Sequence, residues 1–261
     1  MTDQIFAGLK IRDLKVVFDG FVAVGGVDLE VPRNDIRFLI GPNGAGKTTI
    51  VDAVTGLVKS TGTIEFGEQK LHGKKVHQIA RMGIGRTFQT ATVFEELSVL
   101  QNLDIAAGAG RGVMTMLRKR KGVPEEVAEA LDTIKLTKQL NTPAGILSHG
   151  QKQWLEIGML LVQDSKLLLL DEPVAGMSHD ERDATGELLN EIAGTRTVVV
   201  VEHDMDFMRK FARSVTVLHQ GTKLSEGTVA EVQGDPKVQE VYLGQAATEE
   251  AIASGMVKEK A

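Results

Sequence analysis

The chain has no cysteine, one tryptophan, one tyrosine and 6 prolines among 261 residues. Without cysteine there are no disulfides and no thiolate metal sites, which fits a reducing compartment. Long hydrophobic runs are missing too. The longest, LLLL before Asp171 and TVVVV before Glu202, are the length of a strand and far too short to cross a bilayer. The opening residues, MTDQIFAGLKIRD, lack the basic-then-apolar layout of a secretion signal. Basic residues are not in excess, and the net charge of −5 argues against a general nucleic-acid binder. There are no internal repeats or low-complexity tracts. What is present is ordinary for a soluble globular protein: 42% hydrophobic and 25% charged residues. The length allows one large domain or two small ones. Any action at a membrane is expected to run through partners.

Residues 9–18 and 27–31 alternate as antiparallel strands do. IRFLI (36–40), LLLL (167–170) and TVVVV (197–201) are continuous apolar runs, as in buried parallel strands. A helix is expected from about Thr48 to Val58, burying Ile50, Val54, Leu57 and Val58, with Gly62 breaking it and TIEF a short strand. From about Thr90 to Gly158 the chain reads as mainly helical, with loops at AAGAGRG and NTPAG. SVTVLHQGTKLSEGTV reads as a hairpin turning at Gln220-Gly221. The Ala- and Glu-rich tail from Gln245 reads as a helix that docks elsewhere or stays free. Strand–helix alternation around a helical block predicts an α/β sheet carrying an inserted helical subdomain.

GPNGAGKTT, residues 41–49, matches G-x-x-x-x-G-K-[ST] at Gly41, Gly46, Lys47 and Thr48, between a buried strand and a helix. The glycines allow the backbone of Gly41, Pro42, Asn43, Gly44, Ala45 and Gly46 to turn its N–H groups inward onto phosphate oxygens. Lys47 is expected on the β- and γ-phosphates, the Thr48 hydroxyl on Mg²⁺, and Thr49 beside the α-phosphate. A glycine-rich turn with a chance Lys-Thr is the plain alternative, and the strand–helix context opposes it. The loop alone means nucleotide binding, since kinases, GTPases, helicases and transport ATPases all use it.

LLLLDEP sets two carboxylates at the C-terminal end of a buried strand, where open α/β sheets bind ligands. Asp171 is expected to complete the Mg²⁺ shell, directly or through water. Glu172 is expected to face the γ-phosphate and polarise an attacking water. TVVVVEHD ends with Glu202 and His203. A histidine at a strand end is structural more often than functional; beside a γ-phosphate it would hold that water in line. LSHGQKQWLEIGMLL (147–161) reads as a helix capped by Ser148, with Trp154, Ile157, Gly158 and Leu161 at helical spacing. Its first turn is small, polar and free of acids, which suits an anion.

These elements, in this order over about residues 8–244, resemble the nucleotide-binding subunit of ABC transporters. GPNGAGKTT resembles Walker A, and Gln89 in GRTFQTATVF resembles the Q-loop glutamine. LSHGQ resembles the signature motif, LLLLDE resembles Walker B with its catalytic glutamate, and His203 resembles the switch histidine. Phe18 matches the aromatic that stacks on adenine. The resemblance implies a P-loop NTPase (RecA-like) core with an N-terminal antiparallel β subdomain and a helical insertion at about 90–160. One ATPase domain would cover 1–244, with a tail at 245–261. Glu172, His203 and Gln89 would be catalytic, and Thr48, Gln89 and Asp171 would hold the metal, with ATP and Mg²⁺ as cofactors.

In such proteins two subunits pack head to tail. Ser148, Gly150 and Gln151 would then meet the γ-phosphate of a nucleotide held mainly by the partner, and ATP would hold the dimer closed until hydrolysis. Two features depart from the pattern. His149 replaces the usual glycine, and Val174-Ala175-Gly176-Met177 stands for the usual Ser-Ala-Leu-Asp. The hydroxyl and carboxylate that carry signals between sites are thus missing, which suits a heterodimer of unequal partners.

Within the family, FDGFVAVGGVDLEV, IGRTFQTATVFEELSVLQNL and VYLG are similar to the ATPases of branched-chain amino acid and urea (short amide) uptake systems. LSHGQKQWLEIGMLL and DEPVAGM lean toward the urea branch. This implies a second ATPase subunit, two membrane-spanning permease subunits, an external solute-binding protein and no nucleic acid. It places the chain in the cytoplasm, peripheral on the inner face of the cell membrane. The alternative is a soluble ABC ATPase that transports nothing. Long coiled-coil arms and a second cassette, which many of those carry, are absent, though a cluster-assembly ATPase could be this size. A small-molecule kinase would leave LSHGQ and the Asp-Glu pair unexplained. The basic segment RGVMTMLRKRKG (111–122) reads as a solvated face ahead of a lipid contact. TVFEELSVLQNL reads equally as core packing or as part of a groove for a permease helix.

Overall fold

A computed structural model of the protein describes residues 8–87, 92–108 and 122–242. The N-terminal strands β1 (Leu9–Phe18) and β2 (Phe21–Val31) form a hairpin through Asp19-Gly20. Both turn residues have positive φ, 46° and 90°, as a two-residue hairpin turn of this twist requires. β3 (Ile36–Ile40) leaves for a second sheet, while β4 (Thr61–Phe66) and β5 (Gln69–Lys70) complete the first, in the order β2-β1-β4-β5. The second sheet adds β6 (Ile84–Arg86), β7 (Leu167–Asp171), β8 (Thr197–Glu202), β9 (Ser214–His219) and β10 (Thr222–Gly227). Its order is β10-β9-β3-β8-β7-β6, parallel throughout except for the return of β10 along β9.

The helices include α1 (Lys47–Val54), α2 (Val76–Arg81), α3 (Val99–Gly108) and α4 (Glu125–Thr133). They continue with α5 (His149–Val162), α6 (His179–Ala193), α7 (Met205–Phe211) and α8 (Val229–Gly234). Among the described residues, no helix is long and apolar enough to cross a membrane.

Continuous apolar strands make sense because β3, β7 and β8 are covered on both faces. Leu39, Leu167, Leu169, Val199 and Val201 point into a core shared with the first sheet and with Ile50 and Val54 of α1. Their alternates, Phe38, Leu168, Leu170, Val198 and Val200, meet Leu188, Leu189 and Ile192 of α6 and Phe207 and Phe211 of α7. A third core joins α3, α4 and the outer side of α5 through Leu103, Val127, Leu131, Ile134 and Leu155. A Cβ on Gly158 would lie 2.6 Å from Ile134 Cδ1, so the glycine lets this block sit close. With Ile157 in one core and Leu155 in another, α5 is buried on more than one face, as its spread of apolar residues predicts.

Several local expectations change. α1 ends at Val54, and the chain reverses at Gly56 (φ 73°), leaving Leu57 48% exposed. Gly62 lies inside β4 and breaks no helix. The second N-terminal strand starts at Phe21, six residues earlier than its apolar alternation indicates. Within the block expected to be mainly helical, residues 134–148 are turns with two short 3-10 segments, Thr137–Gln139 and Ala144–Ile146. The tail from Gln245 and most of the basic segment lie outside the described residues.

Candidate functional site

Parallel strands deliver their C-terminal ends to one edge of a sheet. Here Ile40 is opposite Glu202 and Asp171 is opposite Val201, so the loops after β3, β7 and β8 start side by side. They carry Gly41, Glu172 and His203.

The loop after β3 turns through Gly44 (φ 75°) and Gly46 (φ 97°) before α1 begins. Among the described residues no side chain caps α1, and no acid occupies its first turn, which leaves its amides free for an anion. The Lys47 ammonium donates to the carbonyls of Gly41 at 2.7 Å and Pro42 at 3.0 Å, folding back over the loop. Burial pushes its pKa down, against the attraction of Glu172, Asp171 and Glu202. Thr48 is exposed at the start of α1. The β9–β10 turn clamps the loop: Gly221 N–H donates to Ala45 O at 3.1 Å, and Gly25 N–H donates to Gly221 O at 2.8 Å. This contact is absent from the sequence reading, which finds the Gln220-Gly221 turn but not what it touches.

Asp171 ends β7 at 2% exposure. Its Oδ2 accepts from Arg86 at 3.3 Å, and Arg86 also pairs with Asp52 of α1. Burial pushes the Asp171 carboxyl up, and the Arg86 charge opposes that. Glu172 has φ 50°, a left-handed conformation that non-glycine residues take mostly under outside constraint. That constraint is the sheet: Glu172 N–H donates to Val201 O at 2.9 Å. Glu172 Oε1 then lies 3.3 Å from His203 Nδ1. Glu202, one residue earlier, is buried. Burial raises its pKa, opposed by amide donors from Asp204 and His203.

The start of α5 forms the predicted cap. Ser148 Oγ accepts from Gln151 N–H, and Gln151 Oε1 accepts from Ser148 N–H at 3.1 Å. Gly150 is buried, His149 exposed. No acid lies in the first turn, but one arrives from α6: the Ser148 hydroxyl donates to Glu181 Oε1 at 2.8 Å. Glu181 also accepts from Ser178 N–H at 3.1 Å, capping α6. Its carboxyl is held below the usual range, first by the Ser178 amide and next by the Ser148 hydroxyl. Residues 174–177 carry neither a hydroxyl nor a carboxylate, as expected, but Ser178 and Glu181 stand just past them. The pattern Ser178-x-x-Glu181 is itself a capping-box signature and was legible.

Phe18 is 45% exposed, at the end of the β1–β2 hairpin. Gly46 faces the same hairpin, since a Cβ there would lie 2.8 Å from Ala23 O. Gln89 lies outside the described residues.

The metal expected from the sequence fits what is here in one respect. Asp171 Oδ1 is buried and accepts no hydrogen bond among the described residues, leaving an oxygen for a cation. No cluster of three or more His, Cys, Asp or Glu suited to a metal occurs among the described residues. A hard cation on Thr48 and Asp171 would therefore depend on phosphate oxygens, the usual way Mg²⁺ binds nucleotides.

Residues 24–175 match the ABC transporter family, and residues 222–248 match the branched-chain amino acid ATP-binding cassette transporter family. The chain is 37% identical over 250 residues to the high-affinity branched-chain amino acid transport ATP-binding protein LivG of Salmonella typhimurium, covering 91% of this chain and 98% of that one. It is 34% identical over 251 residues to BraF of Pseudomonas aeruginosa, described in the same words, with the same coverage. Among solved structures, the ADP conformation of MJ1267, an ATP-binding cassette of an ABC transporter, superposes with a TM-score of 0.79 at 30% identity, over 90% of this chain and 98% of that one. CbiO1 of Clostridium perfringens superposes with a TM-score of 0.77 at 25% identity, over 94% and 98%.

Proposed function

Because this chain belongs to the ATP-binding cassette family of ABC transporters, we propose that it binds and hydrolyses ATP as one of two head-to-tail ATPase subunits of an importer. The observation that carries the hydrolytic part is the meeting of Glu172 and His203 at 3.3 Å, on the sheet edge that also holds Lys47.

Each residue has a task in this scheme. The loop amides and Lys47 bind the phosphate chain, with Lys47 exchanging two carbonyl partners for phosphate oxygens. Phe18 stacks on the base. Glu172 takes the proton of the attacking water, and His203 holds that water and the γ-phosphate in line. Thr48 and Asp171, with Gln89, hold Mg²⁺, which when bound neutralises charge on the phosphates. Ser148, Gly150 and Gln151 donate to the γ-phosphate of the nucleotide seated on the partner subunit.

The permease partners have a candidate seat. A groove of about 290 Å³ is lined by Leu57, Val76, Ile79, Ile84, Met159 and Leu160, with Glu156 and Arg86 among its polar residues. Thr92, beside the segment that holds Gln89, lines it too. A permease helix in this groove would connect membrane and nucleotide, with the chain peripheral on the cytoplasmic face and an external solute-binding protein opposite.

For the solute, residues 222–248 and the names of LivG and BraF support a branched-chain amino acid. LSHGQKQWLEIGMLL and DEPVAGM support a second reading, urea or a short amide.

The test is a tagged pull-down from native membranes in mild detergent with ATP, read by mass spectrometry. Two polytopic membrane proteins and a second ATPase are expected. The solute-binding protein encoded with them is then titrated with leucine, urea and acetamide, which separates the two solutes. Recovery of soluble partners only would overturn the importer reading in favour of a non-transport ATPase.

A further inference from the structure

Glu202 has no task in the scheme above, yet it stands at the centre of the site. It is the last residue of β8, opposite the residue that precedes Gly41, and only 1% exposed. Among the described residues no arginine or lysine forms a salt bridge with it, and its one such neighbour is His203 Nδ1 at 4.0 Å. A carboxylate so placed is unfavourable unless hydrogen bonds compensate it.

Three backbone amides do so. Oε2 accepts from His203 N–H at 3.0 Å and from Asp204 N–H at 3.3 Å. Oε1 accepts from Val174 N–H at 3.4 Å. The first two amides belong to the turn that leads into α7. The third belongs to the loop just after Glu172, which follows the neighbouring strand β7. One side chain therefore ties the two loops whose residues, Glu172 and His203, face each other.

We propose that Glu202 is a positioning residue for hydrolysis: it locks the His203 turn to the segment after Glu172 and so sets the distance between that pair. This rests on the reading of Glu172 and His203 as the hydrolytic pair. A carboxylate suits the task because it offers two acceptor oxygens to donors on two sides. Glutamine offers one; its NH₂ would face either Val174 N–H or the turn amides, donor against donor, and the loops would separate. Misplacement by about 1 Å near reacting groups lowers turnover by up to about a hundredfold.

The assembled transporter is prepared with Glu202→Gln, Glu202→Asp or Glu172→Gln and compared with wild type. Steady-state kcat and KM for ATP, affinity for a fluorescent ADP, and thermal midpoint are measured. The expected result for Glu202→Gln is a kcat lowered about tenfold or more, with KM within about threefold and ADP affinity unchanged. Glu202→Asp keeps the charge but reaches only its own turn, and should fall between; it carries the test where Glu202→Gln does not fold. A kcat within twofold of wild type in Glu202→Gln, or ADP affinity falling in step with kcat, would overturn the proposal. Glu172→Gln separates the two levels. If it too retains turnover, the hydrolytic reading itself fails; if it is silent while Glu202→Gln is normal, only the role of Glu202 fails.

Discussion

The Ser148 hydroxyl donates to Glu181 Oε1 at 2.8 Å, so the start of α5 already faces a carboxylate of its own chain. In the proposed head-to-tail arrangement this hydroxyl would receive the γ-phosphate of the nucleotide held by the partner subunit. Two anions cannot share it, and Glu181 has to yield. Glu181→Gln keeps a side-chain cap for α6 and removes the charge. A charge near a helix start is worth about 1 kcal/mol, close to a fivefold change in binding. The ATP concentration that drives association, measured by sedimentation in a Glu172→Gln background, should fall by about that factor. An unchanged or higher requirement would count against the competition.

The same group sets a pH dependence. The carboxyl of Glu181 is depressed in the folded chain, chiefly by the Ser178 amide. The unfolded chain therefore binds the proton more readily, and the stabilisation is present above the ordinary glutamate range. It is lost as pH falls through the depressed value. Urea midpoints of wild type and Glu181→Gln should differ most at pH 7 and converge on acidification. A gap independent of pH would contradict the assignment.

Arg86 joins Asp52 of α1 to Asp171 at the end of β7. Removing the cation leaves the buried Asp171 carboxylate without it, at a cost of about 3 kcal/mol. Arg86→Met should lose that much in urea unfolding, and Arg86→Met with Asp52→Asn should recover part of it. A loss under about 1 kcal/mol would mean that the pair contributes little.

At Gly46, φ is 97°, and a Cβ would lie 2.8 Å from Ala23 O. Gly46→Ala must shift the phosphate loop away from β2 or take on strain of about 2 kcal/mol. ADP affinity by calorimetry should drop about tenfold or more. Affinity equal to wild type would show that the loop does not depend on this close approach.

The parts of this site that were legible are contiguous. GPNGAGKTT lies between a strand and a helix within a few residues, and both carboxylates of LLLLDEP lie at one strand end. The α5 cap is local too, with Ser148 and Gln151 three residues apart. The parts that were not legible join distant positions. Glu181 is 33 residues from Ser148, and Arg86 is 85 from Asp171. No local pattern encodes such pairs; the packing of α6 beside α5 and of β6 beside β7 creates them. β6 escaped because its three residues are too few for a period to show. α1 was drawn too long because apolar spacing continues through Leu57 and Val58. Gly56 ends the helix instead, where a Cβ would lie 2.8 Å from Lys74 O.

In the proposed scheme Glu172 takes the proton of the water that attacks the γ-phosphate, while Lys47 and its loop bind the nucleotide. The most direct measurement is ATP binding and turnover by the assembled complex in wild type, Glu172→Gln and Lys47→Ala. Glu172→Gln is expected to bind ATP as wild type does, nearly stop turning over and accumulate as an ATP-bound dimer, while Lys47→Ala loses binding. Wild-type turnover in Glu172→Gln, or wild-type ATP affinity in Lys47→Ala, would contradict it.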